Sequence, residues 1–205
     1  MKYEWHKQEK DLYGVKKDAR LVNVPEQTFI TISGKGNPNN TDFSDRVAAL
    51  YPLAYAIKMG YKAAAKKENV PGAIHDFSLY PLEGIWRQEE DEQLVKEKLE
   101  YTIMIRQPNF ITKDMFESAL EKVKKKKPSP LYNEIVFDTI KDGMCVEILH
   151  IGPYDDEPVS FEKMDQFTNE NGLERIRGHH REIYLKNAKR VCPSRLQTIL
   201  RYQVK

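Results

Sequence analysis

One run of local patterns occurs twice in this chain. A period-two stretch, a glycine turn and a helix start, TFITISGKGNPNNTDFSDRV at 28–47, is answered by VEILHIGPYDDEPVSFEKM at 146–164. YPLEGIW at 80–86 is answered by HREIYL at 180–185, and EYTIMIRQP at 100–108 by QTILRYQV at 197–204. Each copy reads strand, glycine turn, helix, strand, strand, and a repeat of that kind restricts the fold more than any single motif does. Two such units pair into one curved antiparallel sheet with the helices on one face, an α+β fold. A ligand groove is expected at the pseudo-two-fold seam where the units meet.

The local signals fill in this outline. Phe29, Thr31 and Ser33 alternate with Ile30 and Ile32, as in a half-buried strand. The loop GKGNPNN (34–40) carries Gly34 and Gly36 but neither the third glycine nor the Gly-Lys-Ser/Thr ending of a phosphate loop. A helix is predicted from Asp42 as its cap, with Val47, Leu50, Ala54 and Ile57 at helical spacing and Pro52 marking a kink or a start nearby. The stretch 74–86 reads as a strand interrupted by Pro81 and Gly84, where a bulge is expected. RQEEDEQ (87–93) reads as a solvated acidic loop. TKDMFESALEKVKKKK (112–127) is an amphipathic helix capped by Thr112, with Phe116, Leu120 and Val123 as its stripe. Its Lys124–Lys127 run suits the negative end of the helix dipole better than a nucleic-acid surface. In the second copy, 143–154 is a strand and 159–173 a helix capped by Ser160 and ended by Gly172, with Phe161, Met164 and Phe167 as its stripe. Residues 195–204 form the last strand. The expected organisation is an N-terminal extension over 1–23 and a single domain over 24–205. Its repeats, at about 24–110 and 140–205, are joined by a helix and a Pro-rich connection at about 111–139.

Composition removes several function classes. A chain of 205 residues can bury the core of one domain or two small ones. Its 33 basic and 31 acidic residues leave a net charge of +2, too little for an electrostatic footprint on nucleic acid or membrane. No apolar run has the length of a membrane helix, and MKYEWHKQEK has no signal-peptide core, so the expectation is a cytoplasmic protein. Cys145 and Cys192 are too few for a disulfide scaffold and have no companions at ligand spacing, so neither a metal nor another cofactor is expected.

The segments EILHIGPYDDEPVSF, NGL, HREIYL and the terminal TILRYQV resemble the GyrI-like small-molecule-binding family. FITISGKGNPN and YPLEGIW in the first half do so as well, and the resemblance runs from about Val24 to the end. It implies a tandem strand-helix-strand-strand fold, the SHS2-type repeat. The same domain is the effector-binding part of multidrug-sensing transcription activators. In stand-alone form it binds bulky, planar, often cationic molecules. Some stand-alone members are implied to open cyclopropane-bearing alkylating toxins by hydrolysis, and the family name points to modulation of DNA gyrase as a third role. The resemblance puts the acid of the E-I-Y strand, here Glu182, at the pocket floor. The stretch before Val24 is too short for a helix-turn-helix, so a stand-alone binder or enzyme is expected, without direct DNA contact.

Period two puts Glu182 and Tyr184 on one face of REIYL and Arg181, Ile183 and Leu185 on the other, with Ile183 and Leu185 suited to a helix-covered core. A desolvated carboxylate is short of countercharge, which a ligand cation supplies, and aromatic walls add stacking and cation–π terms of about 0.5–2 kcal/mol each. Glu83 in YPLEGIW is the matching acid, so two acids are expected to face each other across the seam. Trp86 is the first wall candidate. Strict alternation separates Glu83 from Trp86, and the bulge expected at Pro81 and Gly84 would reunite them. Tyr154 is expected at the rim, with Tyr132, Phe137 and Tyr55 as further walls. His179, His180 and the acidic DDE at 155–157 read as surface residues. The expected function is binding of bulky aromatic, cationic molecules for drug or toxin protection. The alternative is hydrolysis in the same groove, with Glu182 or Glu83 as general acid or base and a tyrosine steadying a developing phenolate.

Overall fold

The computed structural model describes residues 1–68, 70–87, 95–188 and 190–205. In chain order the elements are β1 (Lys2–Tyr3), α1 (Trp5–Gln8), α2 (Lys10–Tyr13), β2 (Arg20–Lys35), α3 (Thr41–Glu68), β3 (Asp76–Phe77) and β4 (Leu82–Arg87). There follow β5 (Glu100–Gln107), α4 (Lys113–Lys126), β6 (Val136–Ile151), α5 (Glu157–Glu170), β7 (His179–Tyr184) and β8 (Gln197–Gln203). The acidic stretch 88–93 lies outside the described residues.

The α+β class and the curved antiparallel sheet are as expected, and the sheet goes one step further by closing. Six strands form a barrel in the order β2-β5-β4-β7-β8-β6. The closure comes from the length of β2 and β6, 16 residues each. One part of each pairs with the other strand, over Arg20–Thr31 and Val136–Glu147. Thr28–Lys35 of β2 also pair with β5, and Cys145–Ile151 of β6 with β8, so each long strand has a partner on both sides where the two stretches overlap.

Alternation along each strand then sorts residues into an inner and an outer face. Arg181 of β7 bonds Gln27 of β2, which is not its neighbour in the barrel, and its guanidinium lies 4.8 Å over the Phe29 ring. Such contacts must cross the interior. Glu83, Arg181 and Ile183 therefore point inward, and Gly84, Trp86, Glu182 and Tyr184 outward. The helices are on the outer face too: α3 buries Leu50, Leu53 and Ile57 against Ile30, Ile32 and Ile103, and α5 buries Met164 against Ile148 and Leu200. Each such aliphatic side chain contributes roughly 1.5–3 kcal/mol of burial. Ile183, expected in a helix-covered core, points inward; it is 1% exposed and belongs to the same apolar cluster as Tyr13 of α2 and Ile199 of β8.

Other local expectations shift for identifiable reasons. Pro52 sits inside α3 without dividing it. Asp42 is within that helix, where it accepts from Arg46 at 2.8 Å and from the Tyr101 hydroxyl at 3.0 Å. β4 keeps an unbroken register with both neighbours from Leu82 to Arg87, so there is no bulge at Gly84. Thr112 caps α4 through the amide of Met115, as predicted. α5 begins at Glu157 and not at 159, because Pro158 is accommodated in its first turn. Ser160 is inside this helix, and its hydroxyl is 2.9 Å from Nδ1 of His150.

The first fifteen residues lie across one end of the barrel. Glu9 is met by Tyr3, Tyr80 and Arg106, Trp5 donates to the Leu79 carbonyl at 2.8 Å, and Arg201 reaches the Leu12 carbonyl. At the opposite end a cavity of about 220 Å³ is lined by Arg87, Asp142, Cys145, His179, Arg181 and Arg201, among others. Burial, and then the Asp142 charge, push the Cys145 thiol up to about 12, which disfavours its thiolate. Among the described residues, no helix is long and apolar enough to cross a membrane.

Candidate functional site

The first-half strands β2, β5 and β4 meet the second-half strands at two junctions, β2–β6 and β4–β7, and α3 and α5 pack to either side of the second. In its register Gly84 stands directly opposite Glu182, Trp86 opposite His180, and Leu82 opposite Tyr184. Directly opposed residues share a face, so the outer face of this junction carries Trp86, His180, Glu182 and Tyr184 side by side.

These side chains form one chain of hydrogen bonds. Nε1 of Trp86 donates to the Tyr184 hydroxyl at 2.9 Å, which donates to Oε2 of Glu182 at 2.7 Å. Oε1 of Glu182 is 2.8 Å from Nε2 of His180. Glu182 as a residue is only 8% exposed. Burial, followed by the Glu182 charge and the bond to it, pushes the Tyr184 phenol well above its ordinary range, so Tyr184 stays protonated and donates. Gly84 makes the chain possible: a Cβ there would lie 2.8 Å from Nε1 of Trp86 and 3.2 Å from the Tyr184 hydroxyl.

Aromatic rings surround the acid. Phe43 of α3 stacks on Trp86 at 5.8 Å, Tyr154 meets Tyr184 edge-on at 5.9 Å, and Phe161 of α5 meets the His180 ring at 4.9 Å. Tyr154 is 40% exposed and forms the rim, yet burial, then Glu182, then Glu157 raise its phenol.

A second acid completes the cluster. Glu157 opens α5 and is 6% exposed, and its Oε1 has no hydrogen-bond partner. Burial, then the charge of Glu182, then that of Asp155, push its carboxyl up to about 9, so it holds a proton at neutral pH.

The junction thus brings together four of the residues singled out from the sequence: Glu182, Tyr184, Trp86 and Tyr154. The others lie elsewhere. Glu83 faces the barrel interior, 0% exposed and bonded at 2.7 Å by Nε of Arg181, which also holds Asp142. The two acids expected to face each other across the seam do not, because the opposite number of Glu182 is Gly84, one residue on, and a one-residue offset reverses the face. Tyr132 is buried in the turn before β6, and Phe137 stacks on Phe116 of α4 at 5.3 Å. Tyr55 is 57% exposed on the outer surface of α3. The residues that sequence reasoning set aside are His180 and Glu157, both read as surface groups, and Phe43.

Comparison with known proteins agrees with this architecture. A crystal structure of an uncharacterised conserved protein from Listeria innocua superposes with a TM-score of 0.88 at 33% identity, covering 99% of this chain and 100% of that one. A protein from the same organism described as a hydrolase gives 0.87 at 32% identity, covering 100% of both chains. The C-terminal domain of EcmrR shares the fold at a TM-score of 0.53 and 16% identity, covering 92% of this chain and 97% of that one. No curated protein matches the sequence. The family model for the GyrI-like small molecule binding domain matches residues 17–205, nearly the whole chain, and the protein belongs to that family.

Proposed function

We propose that this protein binds bulky, planar aromatic cations at the β4–β7 junction, as a cytoplasmic protein that protects against drugs or toxins. One contrast carries the reading. Among the described residues, the buried acids Asp76, Glu83 and Glu147 each have a lysine or arginine against them. Glu182 has only the phenol of Tyr184 and the imidazole of His180. A buried carboxylate without a full countercharge is costly, and a bound cation offsets that cost. The rings of Trp86, Tyr184, Tyr154, Phe43 and Phe161 supply the flat apolar surfaces that such a ligand stacks on. Titration with a planar cationic dye tests this. Glu182→Gln is expected to weaken binding at least tenfold, about 1.4 kcal/mol, and unchanged affinity removes the acid from the account.

A second reading has its own support. Glu157 and Glu182 are neighbouring carboxyl groups in unlike settings, one held protonated and the other hydrogen-bonded by two donors, which is the arrangement acid–base chemistry uses. Relatives at 32% and 31% identity are described as hydrolases. In a hydrolase of cyclopropane-bearing electrophiles, Glu182 would activate water and Glu157 would protonate the departing group. Incubation with such an alkylator, followed by mass spectrometry, separates the two: many products per protein mean turnover, and protection that stops at one equivalent means sequestration.

A further inference from the structure

Glu157 stands apart from the other buried groups of the molecule. It is the first residue of α5, its side chain is buried at the junction, and Oε1 makes no hydrogen bond. Among the described residues, the charges that act on it are those of acids. From β7 it is met by Glu182 and Tyr184; from the turn ahead of α5, by Tyr154 and Asp155. From β6, His150 is engaged with the Ser160 hydroxyl and the Pro153 carbonyl, and Lys96 pairs with Asp155 on the outside at 3.6 Å. A carboxyl beside another acid, with one oxygen unmatched, is built to take a positive charge from elsewhere.

We propose that Glu157 is a second binding acid of this site, carrying a proton in the empty protein and releasing it to solvent when a cationic ligand enters. This rests on the reading of the junction as a cation site. The exchange balances: one proton leaves the carboxyl, and the ligand's charge takes its place between Glu157 and Glu182. The empty site then avoids two adjacent buried anions, and the occupied site gains a second counterion. The raised carboxyl of Glu157, about 9 in the empty protein, gives the window. Below that pH, ligand and proton compete, so affinity rises with pH by up to about tenfold per unit and levels off above it.

The experiment is calorimetric titration of the full chain with a planar cationic dye, near neutral pH, in two buffers of different ionisation enthalpy. The expected result is release of about one proton per dye bound, with Glu157→Gln still binding but releasing none and showing a flat pH profile. Binding with heats independent of the buffer overturns the inference and leaves the cation site standing. Proton release that persists in Glu157→Gln assigns it to another group and overturns the inference as well. Absence of dye binding in both buffers removes the functional reading itself.

Discussion

The indole of Trp86 reaches the hydroxyl of Tyr184 across the space that a side chain on Gly84 would fill. The two rings come from different strands, and their 2.9 Å bond anchors the line of donors that ends on Glu182. Gly84→Ala puts a methyl carbon 2.8 Å from Nε1 of Trp86, so the indole must move. The expected outcome is a loss of dye affinity of roughly tenfold, about 1.4 kcal/mol. A shift in tryptophan emission should accompany it, because Trp86 is one of only two tryptophans.

Tyr184→Phe removes the acceptor of the Trp86 N–H and one donor to Glu182 while keeping the ring. A buried donor left without a partner costs about 1–3 kcal/mol. Urea denaturation should register a loss of that size. Dye affinity should fall less than in Glu182→Gln, because His180 and the aromatic surface remain.

The interior ion pairs predict a different outcome one residue away. Arg181 joins Glu83, Asp142 and Gln27 at the centre of the barrel. Arg181→Leu leaves two carboxylates without their partner, and breaking a buried pair in this way costs about 3–5 kcal/mol. Thermal unfolding should show a Tm lower by roughly 6–20 °C, taking 2–4 °C per kcal/mol for a chain of this size. Glu182→Gln, on the adjacent residue, should leave Tm nearly unchanged.

Glu157 also affects stability through pH. Its folded-state carboxyl holds a proton up to about 9, whereas the unfolded chain gives that proton up in the ordinary carboxylate range. The folded state thus binds the extra proton between those limits, and stability falls as pH rises through that window. Glu157→Gln removes this component. Melting curves should show the wild type losing more Tm than the variant between neutrality and about pH 9.

Much of the architecture was legible because it depends on local periodicity. Alternation in REIYL puts Glu182 and Tyr184 on one face, and the same rule separates Glu83 from Trp86 without any bulge. The unbroken register of β4 shows that the alternation needed no repair. The pairing itself was not legible: nothing local distinguishes Gly84 from Glu83 as the residue opposite Glu182, and that offset decides which face an acid takes. Glu157 was hidden by its acidic neighbours in DDE. The signal that reveals it is Pro158, which fits a first helical turn and moves the helix start back to 157. Glu157, Ser160, Met164 and Thr168 then fall at helical spacing as the buried stripe of α5. Closure of the sheet depends on strand length, and β6 begins seven residues earlier than the predicted start at 143.

The two faces of β7 have a consequence for how this protein can diversify. Arg181 and Ile183 are held by the barrel interior, whereas His180, Glu182 and Tyr184 border the outer junction and the helices beside it. Tolerance to substitution along the strand should therefore alternate residue by residue, one set constrained by folding and the other by whatever compound is met. A chain built in this way can exchange its chemical preferences through the outward positions while the inward ones keep the barrel shut.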